Sequence, residues 1–456
     1  MGTISGKGDS TMIRFPEQLF SDVRTEDVFS TALTYVDGAW EVNRVRREKG
    51  ALLRVYDGKM WYYAVTTDLD QIQEELDGLA ALASPNPDIL ADPVVRRLQA
   101  NRDRVMRYEG RRETDVPHAR KEELVRHCHD LVAAQEGVAV ATVRLADEYR
   151  VKHVVSSLGC DVEWDYQACG LRAQFTLKVG DAPLTECKTF YANHFDDLNV
   201  TDEAILADYR RALDFAKRAV PVKPGQYPVI LSPEVAGVFA HESFGHKGES
   251  DFMLGDESMM REWALGTKVG SGILSIYDDG GEMGSGYLPY DDEGTRKVRS
   301  WLIRDGVLAG RLHNAATAAA LEEENTGNAR AVSFEFEPIV RMTSTCIGPG
   351  KQTKEELLAG VKEGVYIHDY TYGTGMSTFT IAPNMAWMIR EGKLAEPVRV
   401  SVISGNVMET LHLIDGLSDQ VEVTSSVFGG CGKMEQFPLR VSDGGPYVRV
   451  SAMNVQ

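Results

Sequence analysis

The sequence predicts an α+β protein, and three observations lead there. The first half alternates β-branched and aromatic runs with amphipathic stretches of helical period. The second half is mainly strand signals, and the stretch Val220-Pro221-Val222-Lys223-Pro224-Gly225 separates the two. At 456 residues the chain exceeds what one hydrophobic core usually serves. We therefore expect an N-terminal α/β domain with antiparallel strands over residues 1–222 and a strand-rich domain over 223–456.

Taken in order, Phe29–Tyr35, Glu41–Val45, Leu52–Tyr56 and Met60–Ala64 read as strands joined at Asp37-Gly38 and Asp57-Gly58, an antiparallel meander. Asp68–Leu82 has helical period and an acidic first turn, and Lys121–Gln135 is a second helix. Strands follow at Val138–Leu145, Val162–Trp164, Arg172–Val179 and Glu186–Tyr191, then an amphipathic helix at Thr201–Ala219. Beyond the boundary, Tyr227–Leu231 reads as a buried strand. Ser232-Pro233-Glu234 is a helix cap with proline at the first helical position, and Val235, Val238 and Phe239 form the helix's apolar face. The glycine-heavy Gly266–Gly286 and the following Tyr287–Thr295 suggest a mobile flap or wide loop beside a site. Val298–Leu312 is a hairpin turning at Asp305-Gly306, Lys354–Lys362 a short helix, and Ser377–Ala382, Met385–Ile389 and Val398–Ile403 strands.

The apolar and charged fractions, 43% and 26%, are those of a globular protein. A net charge of −19 leaves no basic excess to displace counterions from a nucleic-acid backbone, so nucleic acid is excluded as a partner. No apolar run is long enough to span a bilayer, and the N-terminus lacks the order of a secretory signal, which together predict a cytoplasmic protein with no membrane partner. Six cysteines without a CxxC pair are expected to be reduced thiols.

Chemistry concentrates in Ala240–Asp251, AHESFGHKGESD, where His241, Glu242 and His246 fall within six residues. Neutral imidazoles are common zinc ligands, and an adjacent carboxylate can serve as general base. The spacing has one residue more than the familiar His-Glu-x-x-His. On a regular helix imidazoles at i and i+5 diverge by ~140°, against ~40° for i and i+4. Convergence on one ion therefore requires a widened turn or a helix end at Gly245; otherwise the three residues are unrelated solvated or hydrogen-bonded side chains.

Catalytic zinc usually has three protein ligands. The third could be another histidine, an acid after His246, or a cysteine. Glu249 and Asp251 suit an outer role, accepting N–H from the imidazoles, unless they are ordinary cap or surface acids. Cys431, in Phe428-Gly429-Gly430-Cys431-Gly432-Lys433, has glycines that permit close backbone approach and a lysine whose charge would lower the thiol pKa. The triplet His127-Cys128-His129 points in three directions on a helix and cannot chelate one ion. Tyr287, Tyr290 and His313 are conceivable oxyanion donors, or packed and capping side chains.

The His-Glu-x-x-x-His segment with its downstream acids and the near-terminal Gly-Gly-Cys-Gly-Lys resemble the TldD/PmbA family of metallopeptidases. So do Asp305–Leu308, Asn325–Asn328, Pro338–Thr345, Gly375–Phe379, Glu391–Lys393 and Pro397-Val398 between them. The resemblance covers most of Tyr227–Lys433 and is looser before it. It implies that His241, His246 and Cys431 bind zinc, that Glu242 is the catalytic acid/base, and that the chain is of the metal-bearing TldD type. It also implies a β-barrel-like C-terminal domain and a dimer enclosing the active site. That dimer is either a homodimer or a heterodimer with a PmbA-type subunit lacking the metal motif.

The expected activity is hydrolysis of small or unfolded peptides, held by main-chain pairing to an open sheet edge near Gly375–Phe379, if that segment is not plain core strand. The competing readings are a zinc hydrolase of non-peptide amides or esters, and a non-catalytic binding subunit with structural zinc.

Overall fold

A computed structural model describes residues 2–5, 10–179, 182–281, 284–375 and 377–456. The N-terminal half is a seven-stranded sheet with helices on it. Its spine is the pair Phe20–Val36 and Ala39–Tyr56, joined at Asp37-Gly38, both with positive φ as a tight hairpin turn demands. The long strands Val138–Ser156 and Asp161–Leu177 continue the sheet antiparallel, and Trp61–Thr66 and Leu184–Ala192 flank it. The meander expected from sequence is thus correct in direction but too finely divided. Glu41–Val45 and Leu52–Tyr56 belong to one strand, because the charged residues between them, Arg46 to Lys49, lie on a largely exposed stretch that pairs with Asp27–Ser30 as readily as apolar ones would. Val162–Trp164 and Arg172–Val179 likewise fuse into Asp161–Leu177.

Helices Ile72–Leu82, His118–Ala133 and Asp202–Arg218 bury their apolar faces on this sheet; Leu76, Val125 and Ala212 are wholly covered. Thr201 caps the last of them by accepting from Ala204 N at 3.3 Å.

The C-terminal half consists mainly of two sheets with one helix between them. In a ten-stranded mixed sheet, Gly225–Leu231 lies between Glu363–Ile367, parallel to it, and Val448–Val455, antiparallel. The free end of that sheet is Tyr370–Gly375, paired with Thr378–Pro383. A six-stranded sheet contains Ser344–Ile347, Ser442–Gly445 and Glu422–Ser425. Helix Pro233–Ala240 packs against these three strands and against Tyr370–Gly375. Nearly every residue of the helix is buried, so it needs cover on both faces, and the barrel-like expectation resolves into open sheets. Among the described residues no sheet closes on itself.

Tyr287–Thr295 is not a flap. Tyr287, Leu288, Tyr290, Asp291, Asp292, Glu293 and Thr295 are buried against the N-terminal sheet, where Lys152 donates to Asp292 at 2.6 Å and Arg54 to Glu293 at 3.2 Å. Asp291 accepts from the backbone N–H of Glu293, Thr295 and Ala329. The segment is a looped one, as the sequence allowed, but it is pinned in place because Asp292 and Glu293 are satisfied by groups far away in the chain. Residues 282 and 283 of the preceding glycine-rich stretch lie outside the described residues.

Candidate metal centre

The strand Gly225–Leu231 ends at Ser232, whose hydroxyl accepts from Val235 N at 3.3 Å, and Pro233 starts the helix. At His241–Gly245 the helix widens into a single π-type turn. That extra residue per turn offsets the ~140° divergence of an i, i+5 pair. The two imidazoles consequently face each other, with ring centroids 5.0 Å apart and planes at 83°. Gly245 suits the crowding here, since a Cβ at that position would lie 2.1 Å from Met342 Sδ.

Cys431 arrives on a two-stranded ribbon, Cys431–Lys433 with Gln436–Leu439. Arg341 donates to the Cys431 carbonyl at 2.7 Å, and a Cβ on Gly430 would collide with the Leu439 carbonyl at 2.3 Å. The thiol lies 3.6 Å from His246 Nε2. One ligand atom each from His241, His246 and Cys431 falls within 4.8 Å of the others, although 185 residues separate Cys431 from its histidine partner.

The electrostatics are those of a thiolate between two imidazoles. Burial raises the Cys431 thiol, but His241 and His246 outweigh it and bring its pKa down to about 5. Burial lowers His246, yet hydrogen bonding to Cys431 and Glu249 carries it up to about 10. Glu249, fully buried, meets His246 Nδ1 at 3.0 Å and so directs Nε2 toward the thiol. Asp251 does not reach an imidazole. It binds Lys433 Nζ at 2.6 Å, and Lys433 also meets Glu249 at 3.2 Å. Two carboxylates thus neutralise Lys433, and the imidazoles, not this lysine, hold the thiol down.

The residues present suit a zinc-like ion. Two imidazoles and a thiolate are a borderline-soft donor set, close enough for bonds of ~2.0–2.3 Å to one centre after small side-chain rotations. His241 is 5% exposed and its Nδ1 has no hydrogen-bond partner, a buried polar atom that a ligand would satisfy.

Glu242, half-buried beside the cluster, has its carboxyl raised first by burial, against the lowering effect of the two imidazoles. It backs onto the free edge strand: Cβ atoms on Gly373 and Gly375 would lie 3.6 Å from Glu242 Cγ and 2.7 Å from its carbonyl oxygen. Met376, within the segment considered for that edge, lies outside the described residues. Sequence reasoning missed Asp443 and Tyr370. Burial pushes Asp443 up to about 6, with His241 and Glu242 both close enough to act on it, and Tyr370 is raised by burial and then by Asp443. The only sequence signal was Ser442-Asp443-Gly444-Gly445, where Gly237 on the motif helix admits the carboxylate at 2.6 Å from its Cβ position.

The remaining candidates are engaged elsewhere. Tyr290 donates to Asp103 at 2.8 Å, and His313 bonds Thr317 and Glu323. The ring of Tyr287 lies under Arg107. His127 meets Asp202 on the surface, while Cys128 and His129 are buried.

Two imidazoles on a widened helical turn, met by a cysteine from a distant strand and with a carboxylate alongside, have the make-up of a metallohydrolase site. Comparison with known proteins takes this further. Residues 224–456 match the PmbA/TldA metallopeptidase C-terminal domain and residues 21–84 the PmbA/TldA metallopeptidase domain 1. A protein named a metalloprotease from Synechocystis sp. is 32% identical over 94% of this chain and 93% of its own length. A zinc metalloprotease TldD homolog from Saccharolobus solfataricus is 30% identical over 69% of this chain and 70% of its own. The fold is shared with TldE from Thermococcus kodakarensis at a TM-score of 0.73 and 17% identity, covering 96% of both chains. The chain belongs to the TldD/PmbA family of metallopeptidases.

Proposed function

We propose that the protein is a zinc-dependent peptidase acting on small or unfolded peptides, with His241, His246 and Cys431 holding the metal and Glu242 as general base and acid. The observation that carries this reading is the convergence of three ligand atoms within 4.8 Å beside a carboxylate that borders an open strand edge. When bound, the ion supplies Lewis-acid polarisation of the scissile carbonyl and lowers the pKa of the attacking water from ~16 towards ~7.

Glu242 takes the water proton and returns it to the leaving amine. Its raised pKa suits a group that must hold a proton between those two steps. Glu249 keeps His246 in one tautomer. The peptide lies along Tyr370–Gly375 as an added strand, gripped by its main chain and therefore with little regard to sequence. We further propose a dimer, either of two copies or with a PmbA-type subunit lacking the metal motif, and a cytoplasmic location, for which the six free cysteines are suited.

The test is Glu242→Gln. Metal content by elemental analysis should stay at the wild-type level while peptide turnover falls by roughly 10²–10⁴-fold. Cleavage at the wild-type rate would remove Glu242 from the mechanism. Parallel assays on peptides and on acylated small molecules separate peptidase from general amide or ester hydrolase.

A further inference from the structure

A cavity of about 350 Å³ opens between the two halves of the molecule, one strand away from Cys431. Its N-terminal wall carries Glu148, Arg150 and Tyr166, and its C-terminal wall Tyr287, Arg330 and Arg440. Arg150 is already matched, to Glu26 and Glu148, each at 2.9 Å. Arg330 is not. It is 6% exposed and donates only to carbonyl oxygens, those of Met342 and Arg440. Burial and then Arg341 pull its pKa down to about 10, outweighing Asp292 and Asp278, which act on it without pairing to it.

Arg440 donates to the Gly429 carbonyl at 2.7 Å, and its field acts on Glu148, which Arg150 already holds. The hydroxyls of Tyr166 and Tyr287 are buried and make no hydrogen bond of good geometry, although Tyr191 lies beside the first and Arg107 beside the second. Tyr166 lies in the field of Glu148 and of three guanidiniums, Arg440, Arg150 and Arg330. Two guanidiniums without a carboxylate of their own and two such hydroxyls around one cavity, in a chain of net charge −19, describe a seat for an anion.

We infer that this cavity binds a carboxylate of the peptide substrate, through Arg330, Arg440 and the Tyr166 and Tyr287 hydroxyls. The inference rests on the peptidase reading for the identity of the ligand. Leu439 pairs directly with Cys431, and Arg440 follows it. With strands ~4.8 Å apart and ~3.3 Å per extended residue, the cavity rim is about two or three peptide residues from the metal cluster. The carboxylate is therefore either the C-terminus of a short peptide or an acidic side chain near the scissile bond. An enzyme with such a seat selects substrates by charge at one position while its strand edge ignores the rest.

The experiment measures binding of fluorescent peptides by anisotropy to the metal-loaded Glu242→Gln protein. Three probes share one core: a free C-terminal carboxylate with no acidic residue, the same peptide amidated, and the amidated peptide with one Glu near its centre. Amidation should weaken binding by about tenfold or more, the worth of a charge-assisted pair. Recovery by the internal Glu would assign the seat to a side chain, and no recovery would assign it to the C-terminus. In Glu242→Gln carrying Arg440→Gln, a half-buried position, or the isosteric Tyr166→Phe, the penalty should shrink to less than about threefold. Equal affinity for all three probes, or a penalty that both added substitutions leave intact, overturns the proposal. Charge discrimination without cleavage by the wild type would instead overturn the peptidase reading and leave the anion seat standing. Cleavage without discrimination would do the reverse.

Discussion

Two buried clusters in this protein look alike by distance and differ in kind. His241, His246 and Cys431 form one; Glu113, Asp147 and Cys169, in the N-terminal half, form the other, and in each the ligand atoms lie within 4.8 Å of one another. The second carries its own cation. Lys121 Nζ lies 2.7 Å from Asp147 and 3.3 Å from Glu113, all three side chains fully covered. Its thiol moves the other way: burial, then Glu113 and Asp147, push Cys169 well above the ordinary range, whereas Cys431 falls to about 5. Proximity of donor atoms therefore does not define a metal site. The sign of the surrounding charge separates the two: a thiol between acids stays protonated, whereas a thiol beside protonated imidazoles ionises to the form a metal would need.

The largest test of this contrast is metal itself. Exhaustive chelation should abolish peptide turnover, and zinc should restore it; Cys431→Ser should lose metal on elemental analysis, while Cys169→Ser should keep the full complement. Equal metal loss from both would erase the distinction. Next in size, Lys121→Met leaves Glu113 and Asp147 without a counter-charge and should cost about 3–5 kcal/mol of stability in urea unfolding, with metal content unchanged.

A smaller effect concerns pH. Burial and Asp147 hold the Glu113 carboxyl up to about 7, against Lys121. An acid whose folded pKa exceeds its unfolded value of ~4.3 binds a proton the unfolded chain releases. Its stabilising contribution is full below ~4.3 and is lost as pH rises to about 7. Glu113→Gln should flatten the stability profile across that window, read as urea midpoints. Glu249→Gln, which removes the charged acceptor on His246, should weaken metal affinity by about 10–100-fold. Asp251→Asn should do less, since its partner is Lys433. The smallest change is expected at Gly375→Ala. Its Cβ would press on the Glu242 carbonyl, so turnover should drop while metal content and the urea midpoint hold.

Legibility followed distance along the chain. The helix cap at Ser232, the widened turn and the partnership of His246 with Glu249 were all written within twenty residues, and the i, i+5 spacing itself demanded the irregular turn. The flap expectation for Tyr287–Thr295 failed because the groups that bury it, Arg54 and Lys152, lie some 140 to 240 residues earlier. Asp443 escaped notice for the same reason: its neighbours His241 and Glu242 are on another element.

The sequence alone determined the local conformations and the inventory of reactive groups: where helices start, where hairpins turn, and that two imidazoles and a carboxylate share one segment. These follow from short-range sterics and hydrogen bonding, which depend on neighbours in the chain. The tertiary structure decided which groups meet. It gave Cys431 to the imidazoles and Lys121 to a pair of acids, and it left Arg330 hydrogen-bonded to carbonyls with no carboxylate paired to it, because Coulomb interaction and desolvation act through space and depend on what the fold brings close.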